Sequence, residues 1–271
     1  MLGKAQTLET LKRQVAALET QPLLTDTRYL AAAAGLLATP RGCVHEVFAD
    51  SLAYAGAALG FALAQAKRVL APERPGLIIL QLKSDAQEIG LPYGLGLKSF
   101  GLDSEAIVLI RTDTIVELLW AIEEAIACRA VAAVVADIAY PHKALDFTAS
   151  RRLALRSAAS GGSVFLVRYG RDREAGAAKY RWRVEPSLSA SPPFDDRAPG
   201  PPRWRITLEK GSLDRRRRTS AGGEEYLVDW TENGLVLADT SSRDRAVVLP
   251  AYPALSDADP TALGDRLSEA G

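Results

Sequence analysis

The chain has 271 residues and balances 33 Lys+Arg against 33 Asp+Glu, so it presents no global field to a polyanion, and any nucleic-acid contact must come from a local patch. That length suits one α/β domain with appendages, or a domain plus a small subdomain, and it can bury a substantial core. Cys43 and Cys128 form no CxxC pair, residues 1–12 lack a hydrophobic signal core, and the apolar run 52–64 falls short of the ~20 residues of a membrane span. These features predict a cytoplasmic protein with reduced thiols and no membrane contact.

Residues 4–20 read as an amphipathic helix, with Leu8, Leu11, Val15 and Leu18 on one stripe and Pro22 ending it. From residue 42 the pattern alternates between strands and helices. A strand at 43–48 leads to a helix at 54–69 that is apolar almost all round. A turn at 72–76 precedes the apolar strand 77–82. Gly101 and Asp103 mark the turn before a strand at 107–111. A helix at 117–128 buries Leu118, Leu119, Ile122 and Ile126, and 131–136 is a third apolar strand. Asp146 or Thr148 caps a helix that stops at Gly161, and 163–169 is again a strand. Repeated strand–helix units predict an α/β fold, a mostly parallel sheet with helices on both faces.

The pattern changes near residue 178. Residues 179–185, 203–209 and 225–230 alternate apolar and polar, with Trp182, Trp204 and Trp230 on the apolar side. Asn233-Gly234 signals a hairpin into residues 235–238. These strands predict an antiparallel extension of the sheet. Residues 187–202 are a loop by composition, residues 213–223 carry Arg215–Arg218, and the tail beyond residue 250 is acidic and expected to fray. The expected organisation is a helix and linker at 1–40, a core at 41–178, the antiparallel extension at 179–250 and a tail at 251–271.

Residues 42–61, GCVHEVFADSLAYAGAALGF, carry the decisive information. A strand, a loop and a helix form the place where a phosphate-binding loop would sit. Such a loop needs GxxxxGK[ST]: glycines bring backbone N–H groups to the phosphates, lysine neutralises them and a hydroxyl holds Mg²⁺. Here the segment offers Asp50, Ser51, Leu52, Ala53 and Tyr54, then Gly56 and Gly60, and no lysine before Lys67. Asp50 would repel a phosphate. No cofactor is expected. The two histidines, His45 and His142, give no metal spacing with the cysteines, and neither a GxSxG motif nor an acid/base pair is present, so no catalytic or metal residue is assigned. Glu123-Glu124 reads as a solvated helix face.

Arg215, Arg216, Arg217 and Arg218, with Arg168, Arg171, Arg173 and Lys179, are candidates to touch phosphates or an acidic partner; a solvated arginine loop is the alternative. Trp204 and Trp230 are core residues, or interface anchors if that sheet face is open.

The order of these segments resembles the RecA core across residues 42–190. GCVHEVF is similar to the strand before the RecA phosphate loop, and residues 77–103 to its second strand and the stretch with its catalytic glutamate, where Glu88 falls. Residues 112–140 are similar to its helix and Walker B strand, with Asp137 at the metal-coordinating position. Without bound nucleotide, Glu88 is expected to be a surface carboxylate and Asp137 to tie a strand end or loop. Both DNA-binding loops look cut down, to about residues 138–147 and 170–175.

More closely, GCVHEVFAD, PYGLGL…GLD, LLWAIEEAI, LDFTASRRLALRSAASG and the paired RWR strands resemble the ImuA family of alphaproteobacterial type. That resemblance implies a DNA-damage-inducible, SOS-associated accessory protein of translesion synthesis and mutagenesis. Its implied partners are ImuB, an inactive Y-family polymerase homologue, and an error-prone polymerase III alpha-type subunit in the same complex. RecA and a second copy of the chain are further candidates. A SulA-like cell-division inhibitor and an ATPase with an unorthodox nucleotide site are the alternative readings.

Overall fold

The computed structural model describes residues 39–99, 101–191, 195, 197–211, 224–231 and 234–238. The helix expected at 4–20, the arginine run Arg215–Arg218 and the tail beyond residue 250 lie outside them. The apolar runs become nine strands: β1 (Val44–Ala49), β2 (Gly76–Leu82), β3 (Ile107–Thr112), β4 (Val131–Ile138), β5 (Ser163–Tyr169), β6 (Tyr180–Ser187), β7 (Arg203–Lys210), β8 (Glu224–Thr231) and β9 (Gly234–Leu237). They join in one sheet of order β3-β2-β4-β5-β1-β6-β7-β8-β9. The expected α/β sheet, parallel first and antiparallel towards the C-terminus, is the one observed.

One boundary differs. The alternation at 179–185 predicts an antiparallel strand, yet β6 runs parallel to β1, with His45 opposite Tyr180, and antiparallel only to β7. Alternation reports that one face is apolar and the other polar; it does not report direction. The chain reaches this parallel start because residues 170–179 run back along the sheet without forming a helix.

The helices are α1 (Ala55–Lys67), α2 (Lys83–Ile89), α3 (Gly94–Ser99), α4 (Ile115–Ala127) and α5 (Phe147–Ser160). α4 starts earlier than the periodicity implies, because Thr114 accepts from the Glu117 N–H at 3.2 Å while the Glu117 carboxylate accepts from the Thr114 N–H, a reciprocal cap. Asp146 caps α5 by accepting from the Ala149 N–H at 2.7 Å, and Gly161 ends it. α2 and α3 are too short to show a period and were not legible in the pattern.

Helices on both faces create two cores. α4 and α5 cover one face through Leu118, Ile122, Ile126 and Leu153. α1 covers the other, where Phe61, Trp182, Trp204 and Trp230 meet. The Phe61 ring stands edge-on to Trp182, with centroids 5.4 Å apart, and Trp204 lies 5.5 Å from Trp230. The small residues of α1 let it approach this aromatic layer. A Cβ on Gly60 would sit 2.8 Å from Trp204 Cζ2 and 3.3 Å from Trp230 Cζ3. Both tryptophans are buried, so neither can move aside freely.

Gly60→Ala should therefore destabilise the fold by roughly 1–3 kcal/mol through overpacking, read as a lower urea midpoint. Trp204→Phe in the same chain should recover part of that loss; a midpoint unchanged by Gly60→Ala would show that the layer is looser than this packing.

Candidate functional site

At the C-terminal end of β1 the chain has no room for a phosphate loop. β1 ends at Ala49, and after Asp50 and Ser51 a 3-10 turn, Leu52–Tyr54, leads straight into α1. The Ser51 hydroxyl caps that turn by accepting from the Ala53 N–H at 3.2 Å. Tyr54 precedes α1 and makes no side-chain cap. Gly56 faces open space, whereas Gly60 is pressed against Trp204.

Asp50 does not face a ligand. Its carboxylate accepts from Arg173 at 2.7 Å, and Arg183 lies 3.9 Å away. Arg173 also reaches Glu209 at 3.2 Å, and Arg183 donates to Glu185 at 2.8 Å. Next to this group, buried Glu46 accepts from Arg181 at 2.8 Å, with Arg168 at 3.9 Å. Arg168 in turn donates to Glu174 at 2.6 Å. The guanidiniums of Arg168, Arg173 and Arg181 surround the Phe48 ring, the nearest 4.4 Å from its centroid. Four arginines thus meet five carboxylates, so the cluster has no surplus positive charge to offer a phosphate.

A separate cluster surrounds Asp137, which is buried at the end of β4. Its Oδ1 accepts from the Tyr169 hydroxyl at 2.7 Å and its Oδ2 from the Gln81 amide at 3.1 Å. Burial pushes this carboxyl from 3.8 up to about 6; the two hydrogen bonds pull it down, and nearby Asp85 pushes it up. Asp85 accepts from the Ala139 N–H at 2.9 Å, and Glu88 accepts from the Tyr140 hydroxyl. Asp137, at the position that would serve Mg²⁺, is engaged by Tyr169 and Gln81, and Glu88, at the position that would serve water activation, holds Tyr140. Beside Asp137 lies a cleft of about 290 Å³, walled by Ala55, Gly56, Leu59, Tyr93, Leu97 and others, with no lysine or arginine lining it among the described residues.

Cys43 Sγ lies 3.3 Å from His45 Nε2, a pairing that resembles a nucleophile and base. Burial pushes the thiol up to about 11 and the imidazole down to about 4. Both shifts oppose a thiolate–imidazolium pair, so the two stay neutral near pH 7.

Several candidates change role. Arg168 and Arg173, singled out for phosphate contact, are held inside the ion-pair cluster, because Glu46, Asp50, Glu174 and Glu209 need them. Trp204 and Trp230, read as core residues with an anchor role as the alternative, lie in the α1 core, because the apolar side of their strands faces that helix. Arg171 and Lys179 are exposed. Arg215, Arg216, Arg217 and Arg218 lie outside the described residues. Sequence reasoning missed Glu46 and the carboxylates that pair with the arginines. The available signal was a Glu in a strand that parallel pairing buries on both faces, opposite a strand alternating Arg181, Arg183 and Glu185. Among the described residues no group of side chains could hold a metal ion, and no helix is long and apolar enough to cross a membrane.

The raised Asp137 value has a definite consequence. The unfolded carboxyl releases its proton near pH 4 and the folded one near pH 6, so stability should fall as pH rises between them and stay lower above. Asp137→Asn should remove that fall, on the order of 1–3 kcal/mol, in urea unfolding between about pH 4 and pH 7. The Gln81 Oε1 has no partner among the described residues, so that amide can turn to accept from the new one. An equally steep pH dependence in the variant would place the titrating group elsewhere.

No family model matches the chain. It is 33% identical over 183 residues to Protein ImuA from two strains of Caulobacter vibrioides, NA1000 / CB15N and ATCC 19089 / CIP 103742 / CB 15. In each case the match covers 63% of this chain and 70% of the relative.

Proposed function

The chain belongs to the ImuA family, and from that membership we propose that it is a non-catalytic accessory protein in DNA-damage-inducible mutagenesis. In this reading it binds an ImuB-type Y-family polymerase homologue within a translesion synthesis complex that also holds an error-prone polymerase III alpha-type subunit, with RecA as a further partner. The observation that supports it is the end of β1. Two residues link strand to turn, Asp50 is clamped by Arg173, and among the described residues the neighbouring cleft presents one carboxylate and no cation. A nucleotide triphosphate needs backbone donors and positive charge at that place. The remaining fold is a scaffold whose surfaces are free to serve protein partners.

The test is co-purification of the full chain with the ImuB-type protein, with the tubulin-like division protein as comparison, alongside calorimetry with ATP and Mg²⁺. Retention of the first partner alone, with no saturable heat at millimolar nucleotide, is the expected result. Retention of the division protein instead would overturn the assignment. Micromolar ATP binding lost in Asp137→Ala would establish the ATPase reading.

A further inference from the structure

We propose that the cleft beside Asp137 is a docking slot for an arginine side chain of a protein partner, in which Asp137 receives the guanidinium and the apolar walls receive the stem and its neighbours. This rests on the reading of the chain as a protein that works by binding others, and it names the chemistry of one such contact.

The cleft is lined by α1 within residues 55–63, by residues of the segment 89–97 and by Asp137 at the end of β4. At about 290 Å³ it falls just below the usual small-molecule range of roughly 300–1,000 Å³, so it suits one long side chain. Leu59, Pro92 and Leu97 make its walls apolar. Two further lining residues stand out into solvent, Leu91 at 50% exposed and Tyr93 at 70%. A free cation would leave these two uncovered, whereas a peptide carrying the cation would bury them.

The occupant follows from charge. Near pH 7 the Asp137 carboxyl, raised only to about 6, is largely ionised. Its hydrogen-bond partners, Tyr169 and Gln81, are neutral, and its neighbour Asp85 is itself acidic. No lysine or arginine of the described residues lines the cleft. A second acceptor stands next to it. The Gln81 amide nitrogen donates to Asp137 at 3.1 Å and to the Gly90 carbonyl at 3.3 Å, and both of those residues line the cleft. The Oε1 of the same amide is buried and has no partner among the described residues. A guanidinium carries five donors in a fixed fork and is more weakly hydrated than an ammonium, so it can serve both acceptors and leave water at lower cost. A phosphate or carboxylate would be repelled by the same charge.

The probe is the tripeptide acetyl-Leu-Arg-Leu-amide, titrated by NMR into the full isotope-labelled chain. The Gly56, Gly90 and Gly96 amide signals should move saturably, with a Kd of about 1 mM or tighter. Citrulline in place of the peptide's arginine keeps the shape and removes the charge; it should weaken binding about tenfold or more, and Asp137→Asn should do the same. Gly56→Leu leaves the carboxylate in place. A Cβ at Gly56 meets nothing within 4 Å, so the new side chain enters the cleft and should abolish binding with the unfolding midpoint unmoved. No saturable shift in the wild-type chain, equal affinity for the citrulline peptide, or full binding by Gly56→Leu would each overturn the proposal. Butylguanidinium binding as tightly as the peptide would overturn it in favour of a free organic cation. Co-purification with the ImuB-type protein bears on the accessory role alone, so the two readings fail separately.

Discussion

A carboxylate buried inside a sheet must be met by cations, and much of this molecule follows from how Glu46 is met. Left alone, a charge at that depth would cost several kcal/mol. Arg181 from β6 and Arg168 from β5 approach it from either side. The backbone of residues 170–179 then closes over the cluster, so tightly that a Cβ on Gly176 would lie 2.6 Å from Glu46 Oε1. This covering segment takes the place of a helix on that part of the face. It also carries Arg173 to Asp50. The ion-pair cluster, the parallel entry of β6 and the closed end of β1 are parts of one arrangement.

The same arrangement shows how the strand ends are held by the chain's own side chains. In a nucleotide-binding sheet the strand ends are organised around phosphates and a metal ion, which supply the charges that neighbouring groups answer. Here internal pairs supply them. Asp50 holds the arginine side and Asp137 the tyrosine and glutamine side, with Asp85 and Glu88 fixing the residues after β4. Strand ends that would otherwise be mobile without ligand are tied by side chains. The arginines are committed to that task.

The opposite face is organised by size instead of charge. α1 is built mostly from alanine and glycine and contributes Phe61, and the sheet beneath it presents three tryptophans. Large side chains on strands and small ones on the helix let the layers interlock at native density. The polar sides of β6, β7 and β8 are thereby turned towards the ion-pair face. The two faces are coupled through the alternation of those strands, because a one-residue slip would exchange them.

The sequence by itself determined the fold class, most strands, the helices with a full period, and the residues that follow β1 in place of GxxxxGK[ST]. These rest on local causes: apolar runs such as 77–82, caps such as Asp146, and the missing lysine after Asp50. It did not determine the direction of β6, since alternation is the same in both directions, nor the short helices α2 and α3. It also left Trp204 and Trp230 open between core and surface, and Arg168 and Arg173 between partner contact and a solvated loop. Only the tertiary structure decided these, because each depends on what faces the residue from more than 20 positions away along the chain: Gly60 for Trp204 and Asp50 for Arg173. Residue type fixes what a side chain needs; the sheet order fixes what it meets.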